Sequence, residues 1–394
     1  MNINKEKEKI ISIVTSVNWL EIIYLTLFAA FVIGKFLETT ALQWELPADY
    51  NAVIRVLLCV FIQISFIAHI LHKGRVDWFE LALMLIMASV GYMVSYHVNE
   101  IFIFDTMLLI IGAKNIDYRK ICYVYICIAV VLLGLGLYLS GKGAIPDYVY
   151  QSERGIRHSL GSCYATEFMA HIFFLFAVYI CFRGKRITFF ELVCMVMIAL
   201  EAYRWTYARN STICILVLCL ICACLKALDL LHIRLSDYKL INILSLSIVI
   251  AFVVWLFLMS NYNSDSSMFV ELNEKLSDRI NLSAQGYQTY GITAFGSIIQ
   301  ENGWAFGGIS VIGQYFCLDV YFVRVLIKYG YLFAIIISVM YIRLFTRMRA
   351  MHKDYILAVL IMLIPFGMVD FQVFSVAYNP LWLLLFAKIR RGRK

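Results

Sequence analysis

Proline and charged residues are both scarce in this chain of 394 residues. Only four prolines occur, and Asp, Glu, Lys and Arg together make up 15% of the sequence. Hydrophobic residues make up 62% and the mean hydropathy is +0.80, whereas a soluble domain is about 45–50% apolar. Apolar runs of about 20 residues, the length of a membrane-spanning helix, recur along the sequence. These features exclude a soluble protein and predict an all-α polytopic membrane protein.

Signatures of nucleotide-driven and zinc-dependent reactions are also missing. The chain contains no GxxxxGK[ST], HExxH, GxSxG or DxD pattern, so no metal and no cofactor are predicted. The eleven cysteines lack metal-site spacing, and most lie in apolar runs, where cysteine acts as a small hydrophobic residue. Only Cys163 and Cys317 lie near polar segments, and the sequence leaves open whether they form a disulfide.

A single long polar stretch interrupts the apolar runs. We therefore predict one transmembrane domain over residues 1–394, with one large extracellular loop at 261–318. About 12 transmembrane helices are expected. The range is 10–12, because the fourth helix is short and the second half of the loop could enter the membrane. They are predicted at 19–37, 51–70, 78–95, 101–113, 121–140, 165–182, 189–203, 211–228, 240–260, 326–345, 356–374 and 379–389.

The distribution of lysine and arginine predicts the orientation. If both termini are cytoplasmic, most of the 34 basic residues fall in cytoplasmic segments, as the positive-inside rule requires. The charged start MNINKEKEK fits a retained cytoplasmic end and not a signal peptide. The net charge of +8 is explained by these basic segments meeting anionic membrane lipids, so no nucleic acid is expected as a partner.

Arginines that this orientation leaves outside form the first candidate site. Arginine suits phosphate because its planar fork donates two parallel hydrogen bonds and keeps its charge. On the outer face, the abundant phosphates are lipid headgroups and lipid-linked diphosphates. The alternative for each arginine is to snorkel to ordinary headgroups or to pair with a carboxylate. The candidates are Arg154, Arg157, Arg204, Arg209, Arg279 and Arg324.

Two short stretches hold most of these arginines. In RGIRHSLG (154–161), i, i+3 and i+4 spacing would place both arginines and His158 on one face of a helix. The stretch YRWTYARNST (203–212) precedes an apolar helix. Asn210 or Ser211 is predicted to cap that helix, so its positive N-terminal end would point outward beside an arginine.

The large loop combines a predicted helix with glycines and aromatic residues. Residues 266–280 are predicted to form an amphipathic helix, with Glu271 placed to pair with Lys275. The stretch 286–313 holds seven of the chain's 21 glycines, which allow sharp bends or close approach to a ligand. Its aromatic residues suit either a sugar ring or the membrane interface. Tyr287, Tyr290 and Trp304 are the candidate glycan contacts.

Few ionisable residues fall inside the apolar runs, and each needs a partner or a water-filled cavity. Arg55 and Asp105 are one predicted structural pair. No relay of carboxylates and no pair of Gly/Pro-broken helices is visible, which disfavours a secondary transporter. The predicted buried ionisable residues are Glu21, Arg55, Asp105, Glu201 and Asp370.

Four stretches, in this order, resemble the Wzy-type polysaccharide polymerases of bacteria, which make capsular, exopolysaccharide and O-antigen glycans. They are RHSLGSCYATEFMAH (157–171), YARNST (207–212), LNEKLSDRINLSAQGYQTYGITAFG (272–296) and LDVYFVRVLIKYG (318–330). The chain departs from the family pattern after SLG, where SCYAT replaces an aromatic residue and Pro-Asn. It departs again at Ala208, where many relatives carry serine.

The resemblance implies a GT-C-like glycosyltransferase of the bacterial cytoplasmic membrane. Such an enzyme transfers a growing glycan from undecaprenyl diphosphate to a lipid-linked repeat unit, without a metal or a nucleotide sugar. Its implied partners are the undecaprenyl diphosphate-linked oligosaccharide, a Wzx-type flippase and a chain-length regulator. By the same resemblance, Arg157, Arg209 and Arg279 hold the diphosphate, while Asp319 and Tyr321 match the family's Asp-x-Tyr position. Tyr321 is therefore a further candidate contact for the acceptor glycan.

The acceptor hydroxyl of this reaction must lose a proton, and three residues are candidate bases. In order of preference they are Asp319, His158 and Glu167, although Asp319 could equally cap a helix. A ligase-like transferase is the nearest alternative, but such ligases use a loop histidine and residues 261–318 contain none. The sequence is also compatible with a lipid-linked oligosaccharide flippase and with a membrane protein that has no catalytic role.

Overall fold

The computed structural model describes residues 19–42, 47, 49–73, 77–152, 155–303 and 315–389. Over these residues the chain is mostly helical, and its one sheet in the described part is a two-stranded hairpin. The helices are α1 (Trp19–Glu38), α2 (Tyr50–Lys73), α3 (Trp78–Val98), α4 (Phe102–Gly112), α5 (Tyr118–Gly141), α6 (Ala165–Arg183), α7 (Phe189–Thr206), α8 (Arg209–Leu230), α9 (Ser247–Asn261), α10 (Ser267–Lys275), α11 (Arg279–Tyr290), α12 (Tyr321–Arg324), α13 (Tyr331–Ala350) and α14 (Asp354–Gly367). The strands are β1 (Val149–Ser152) and β2 (Gly155–His158), and 3₁₀ stretches cover Lys239–Leu246 and Pro380–Leu385.

Eight described helical segments are long and apolar enough to cross a membrane: α1, most of α2, α3, α5, α6, α8, the continuous Lys239–Asn261 segment, and α13. The multi-pass all-α prediction is therefore confirmed. The other predicted spans are weaker in the structure. Helices α4 and α14 have 11 and 14 residues, the last span is a six-residue 3₁₀ segment, and α7 carries Glu191, Glu201 and Arg204.

The connections gather at two ends of the bundle. At one end, the chain after α1 pairs with the chain before α6, since Ala41 N donates to Gly161 O at 2.9 Å and Cys163 N donates to Thr39 O at 3.0 Å. The hairpin and residues 262–303 lie at this end, which we call the loop end. At the opposite end, Lys388 forms backbone hydrogen bonds with Ile116 and Tyr118.

Helix α6 lies at the centre of the bundle. In its membrane-spanning part, 78% of the residues are buried, against 17% in that of α2. Helix α2 therefore faces the surroundings, whereas α6 is enclosed by protein. Phe173 of α6 stacks on Phe366 of α14 with ring centroids 4.4 Å apart. This packing sets the end of α14 against the middle of α6, and beyond α14 the Gln372 amide reaches Glu167 in the first turn of α6.

Two glycines allow the large loop to return against the bundle. Gly296 and Gly330 have φ values of +86° and +87°, which non-glycine residues rarely adopt. A Cβ on Gly296 would lie 1.9 Å from the Lys328 carbonyl oxygen, and one on Gly330 would lie 2.4 Å from the Ala294 carbonyl oxygen. The backbones of the loop and of the segment entering α13 are therefore in direct contact.

The hairpin corrects the prediction of a helix around residues 154–158. Tyr150 pairs with Arg157 and Val149 pairs with His158 in an antiparallel register. Because successive side chains of a strand point to opposite faces, Arg157 and His158 diverge and do not share one face. Gly155, with φ +124°, adopts a conformation that a helix does not permit.

The predicted helix over 266–280 is also interrupted. Ser277 and Asp278 adopt left-handed backbone conformations, which end α10 and separate it from α11. The Asn273 side-chain oxygen then accepts hydrogen bonds from the backbone N–H groups of Ile280 and Asn281, both at 3.0 Å. The predicted Glu271–Lys275 pair is present at 2.6 Å. The predicted buried pair is present too, with Arg55 Nε 2.5 Å from Asp105 Oδ1.

Candidate functional site

Arg279 joins three parts of the loop end. It is the first residue of α11, and its Nε donates to the Val369 carbonyl at 3.0 Å while Nη1 donates to the Leu276 carbonyl at 3.2 Å. Its Nη2 lies 3.6 Å from Oδ2 of Asp319. The guanidinium side chain is 16% exposed. One arginine therefore holds the large loop against the segment after α14 and against the chain that re-enters the bundle.

Asp370 is a buried carboxylate beside this arginine. Asn210, in the first turn of α8, donates from its amide to Asp370 Oδ2 at 2.6 Å and to the Phe366 carbonyl at 3.1 Å. The start of α8 is thereby fixed to the end of α14. The prediction that Asn210 or Ser211 caps this helix is wrong, because Ala208 occupies the N-cap position and no side chain caps it.

The charges around Asp370 identify its neighbours. Burial raises the pKa of Asp370 to about 6, while the guanidinium of Arg279 and the amide of Asn210 lower it. The charge of Asp319 raises this pKa and the charge of Arg157 lowers it. Two arginines and a second carboxylate, from three other stretches of the chain, thus act on Asp370. We call Arg157, Arg279, Asp319, Asp370 and Asn210 the arginine–carboxylate cluster.

Arg157 reaches the cluster from the hairpin. Its Nε donates to the carbonyl of Thr206, the last residue of α7, at 2.9 Å. His158, on the other face of β2, has its Nδ1 2.5 Å from Asp147 Oδ2 and its ring edge-on to Trp205 at 5.5 Å. The structure therefore places Arg157 within the electrostatic reach of Asp370 and holds His158 in a separate contact with the carboxylate of Asp147.

Two other predicted arginines, Arg204 and Arg209, are exposed. Arg204 pairs with Glu201 of its own helix at 3.1 Å, and both side chains are well exposed. Arg209 is the first residue of α8 and is exposed. Arg154, like Trp304, lies outside the described residues. The charges of Arg279 and Arg157 lower the pKa of Asp370.

Arg324 belongs to a separate buried ion-pair network. Its Nη2 lies 2.5 Å from Glu301, its Nε donates to the Leu318 carbonyl at 2.9 Å, and its guanidinium lies 4.3 Å above the Phe371 ring centroid. Lys328 bridges Glu301 at 3.0 Å and Glu100 at 2.6 Å. Arg324 therefore fastens the loop to the bundle.

The net pKa shift of Glu301 agrees with this fastening role. Burial alone would raise the pKa of Glu301, but the charges of Arg324 and Lys328 lower it and leave it below its ordinary value. Glu301 is thus held as a carboxylate between two cations. Neither Glu301 nor Glu100 was predicted to act in a site, because the sequence gives no sign that residues so far apart meet.

The side chains of Asp319 and Tyr321 lie in different surroundings. Asp319 is 28% exposed and accepts from the Cys317 thiol at 3.3 Å as well as facing Arg279. Burial raises the pKa of Cys317, and the charge of Asp319 raises it further. Tyr321 is 2% exposed, and its hydroxyl has no hydrogen-bond partner in the described chain. The predicted glycan contact at Tyr321 is therefore buried in the core. Both Cys163 and Cys317 are free.

The tyrosines of α11 support the loop. Tyr287 and Tyr290 are three residues apart and half-buried on the same helix face. The Tyr290 hydroxyl accepts from Gln300 N at 3.2 Å, and its ring stacks on Phe316 at 6.3 Å. These contacts position the loop segment that leads to Glu301.

Glu167 is the third predicted base, in the first turn of α6. The Tyr378 hydroxyl donates to Glu167 Oε2, and the Gln372 amide donates to Oε1 at 3.3 Å. Glu167 lies within the electrostatic reach of Asp370 and Asp319. It therefore adjoins the arginine–carboxylate cluster on the side of α6.

No grouping of three or more His, Cys, Asp or Glu side chains suited to a metal ion occurs within the described ranges. The carboxylates near the cluster face arginine, amide or phenol groups instead. What the arrangement offers chemically is cationic hydrogen-bond donors beside carboxylates at the loop end of a membrane protein.

Comparison with known proteins gives no relative. No family model matches the sequence, no curated protein matches it, and no solved structure matches the chain. The function is therefore inferred from the residues and the geometry of the loop end.

Proposed function

We propose that the protein is a Wzy-type polysaccharide polymerase. It would transfer a growing glycan from undecaprenyl diphosphate to a lipid-linked repeat unit at the outer face of the bacterial cytoplasmic membrane. The observation that carries the proposal is that Arg157 and Arg279, from the hairpin and the large loop, are fastened to the two segments that hold Asp370. Arg157 is hydrogen-bonded to Thr206, just before Asn210. Arg279 is hydrogen-bonded to Val369, next to Asp370. The type of reaction is taken from the resemblance of the short stretches that contain these residues to such polymerases.

The two arginines suit the leaving group of this reaction. As the sugar–diphosphate bond breaks, the diphosphate oxygen gains negative charge. Donors that are already oriented towards that position stabilise the transition state more than the ground state. Arg157 and Arg279 are oriented by their hydrogen bonds to the Thr206 and Val369 carbonyls. Little reorganisation is then needed when the charge develops.

The proposal includes a membrane orientation. The loop end faces outward, both termini are cytoplasmic, and twelve segments cross or enter the membrane in the manner of GT-C enzymes. The lysines and arginines of the short connections at the opposite end support this orientation. Among them, Lys114 pairs with Glu80 and Lys185 pairs with Asp229.

A flippase or exporter fits the charge distribution less well. A transporter of charged lipids would need polar groups along a path through the bilayer. Arg55, an arginine within a spanning helix, is instead neutralised by Asp105 at 2.5 Å. A ligase-like transferase remains chemically close, but the loop at 261–318 lacks the histidine that such enzymes use.

Reconstitution tests the proposal directly. The purified protein is placed in lipid vesicles with undecaprenyl diphosphate-linked oligosaccharides extracted from a bacterial strain that lacks it, without nucleotide or metal. We expect a ladder of glycans spaced by one repeat unit. Arg157→Ala and Arg279→Ala should each remove the ladder while inserting normally, whereas Lys275→Ala, which removes an exposed cation of the same loop, should keep it.

One outcome would contradict the polymerase assignment, and another would contradict the role of the two arginines. If the oligosaccharides remain single but cross the bilayer, the protein is a transporter. If normal ladders form with Arg157→Ala and Arg279→Ala, the arginines do not act on the diphosphate.

A further inference from the structure

Glu167 is oriented by two neutral donors at the edge of the arginine–carboxylate cluster. One carboxylate oxygen accepts from the Tyr378 hydroxyl and the other accepts from the Gln372 amide at 3.3 Å. Both donors come from the segment that follows α14. Neither donor carries a charge, so the carboxylate is held in place without being neutralised by a cation.

Tyr378 is itself fixed by a stack of rings. Its ring lies 4.2 Å from the His171 ring, one helical turn below Glu167, and the His171 ring lies 3.9 Å from Phe36. His171 Nε2 is 2.9 Å from Thr39 Oγ1, which donates to the Phe36 carbonyl. The hydrogen bond between His171 and Thr39 therefore ties the ring stack to the end of α1.

The same stack leaves no freedom for the phenol to turn away. Tyr378 is 5% exposed and His171 is fully buried. A rigid neighbour that orients a reacting group is the usual requirement for a precise site. The hydroxyl of Tyr378 therefore acts as a fixed support for the carboxylate of Glu167.

The other candidate bases are already engaged. Asp319 faces the guanidinium of Arg279 at 3.6 Å and accepts from a thiol. His158 is held by Asp147 on the opposite face of β2 from Arg157. Of the three, Glu167 combines proximity to the cluster with partners that leave its charge available.

We infer that Glu167 is the general base of the proposed transfer and that Tyr378 is a positioning residue for it; this inference rests on the proposed polymerase function. The acceptor hydroxyl gives its proton to the Glu167 carboxylate as its oxygen bonds to the anomeric carbon. The bond between that carbon and the diphosphate oxygen breaks, and the electron pair leaves with the diphosphate beside Arg157 and Arg279.

The test compares turnover with donor binding in the reconstituted vesicles. Glu167→Gln keeps the size of the side chain and one acceptor oxygen for the Tyr378 hydroxyl, but it removes the basicity. We expect polymerisation to fall by about 10²–10⁴-fold, the usual contribution of a general base. Binding of undecaprenyl diphosphate to the purified variant should stay within about twofold of wild type, since the arginines are unchanged. Glu271→Gln, an exposed carboxylate of the loop, is the matched control.

Tyr378→Phe removes the hydroxyl and keeps the stacked ring. We expect kcat to fall by about tenfold with little change in KM, because only the orientation of the base is lost. The pH profile of kcat should also move. The groups that bear on Glu167 in that profile are Tyr378, Asp370 and Asp319, together with Cys163 and Tyr164, which Glu167 influences in turn.

The failures of the two proposals are distinguishable. If wild-type protein makes no polymer, the proposed function fails. If wild type makes polymer and Glu167→Gln makes it equally well, the function stands and the base is misassigned. If Glu167→Gln loses diphosphate binding together with turnover, Glu167 is a structural residue and the inference is wrong. The same holds if Glu167→Asp, which retains a carboxylate, shows neither turnover nor diphosphate binding.

Discussion

At the scale of single residues, Asp370 is the most informative side chain. It is 7% exposed and lies in the electrostatic reach of two arginines. A buried carboxylate is costly unless it is hydrogen-bonded or paired. Asn210 supplies one hydrogen bond, yet burial still prevails and raises the pKa of Asp370 from 3.8 to about 6. The residue therefore destabilises the fold whenever it is ionised.

The pH dependence of this cost follows from its sign. A carboxyl with a higher pKa in the folded than in the unfolded state binds its proton more tightly when folded. Its destabilising effect is therefore complete above about pH 6, declines as the pH falls through that value, and is lost only below the unfolded pKa of 3.8. We predict that Asp370→Asn, which keeps an acceptor for Asn210, raises the free energy of unfolding by about 3 kcal/mol at pH 7.5. Thermal unfolding in detergent measures the gain.

At pH 4.5 the gain should fall to about 1 kcal/mol, because Asp370 is then protonated in the folded protein while the same carboxyl in the unfolded chain, with a pKa of 3.8, is still mostly ionised. Asp265→Asn, at an exposed position, is the control and should leave the unfolding temperature unchanged at both pH values. An equal gain for Asp370→Asn at pH 4.5 and pH 7.5 would show that the stability change has another origin than ionisation.

The same substitution bears on anion binding. Asp370 places a negative charge where the proposed diphosphate must bind, since the charges of both Arg157 and Arg279 act on this carboxyl. We predict that Asp370→Asn tightens the binding of inorganic pyrophosphate by about tenfold, or 1.4 kcal/mol. Isothermal titration calorimetry at pH 7.5 measures it. Unchanged or weaker binding would mean that the anion does not meet this carboxylate.

Sequence reasoning found part of this residue-scale picture. Arg157, Arg279 and Asp319 stood out because charged residues are rare in such a chain and arginine suits phosphate. Asp370 was noted only as a buried ionisable residue, and Asn210 was predicted to cap its helix. Their contact joins residues 160 positions apart, and no local pattern in one sequence encodes such a meeting.

At the scale of elements, the helices were the most predictable feature. Each apolar run specifies a helix because a backbone in hydrocarbon must satisfy its own hydrogen bonds. The four-residue strands β1 and β2 were not predicted, since such short strands carry almost no periodic signal. The break at Ser277 and Asp278 was also missed, because hydrophobic spacing continues across it while the backbone reverses.

The return of the loop to the bundle depends on Glu301. Glu301→Gln would leave Arg324 without its carboxylate and Lys328 with Glu100 alone. Removing one member of a buried ion pair costs about 3–5 kcal/mol, because the remaining charge is uncompensated. We predict a lower unfolding temperature and faster proteolysis within residues 291–303. Glu271→Gln, from an exposed pair, should change neither quantity, and an equal effect of both variants would contradict the fastening role.

At the scale of the whole molecule, the orientation is the main prediction. Lys275 is well exposed at the loop end, whereas Lys185 and Arg186 lie in the turn after α6, at the opposite end. We predict that trypsin added outside spheroplasts cleaves after Lys275 and spares the turn at 184–186. In inverted vesicles the pattern should reverse, and cleavage on the same side at both sites would contradict the proposed topology.

The contact between Asn210 and the end of α14 has a consequence for biosynthesis. During translation the hairpin, the start of α8 and the large loop all leave the ribosome before residues 366–378, which supply Asp370, Gln372 and Tyr378. The site is therefore completed by the last of its segments to be made. A nascent chain halted before that segment could be inserted and yet consume no lipid carrier, so the order of synthesis itself would keep unfinished molecules inactive.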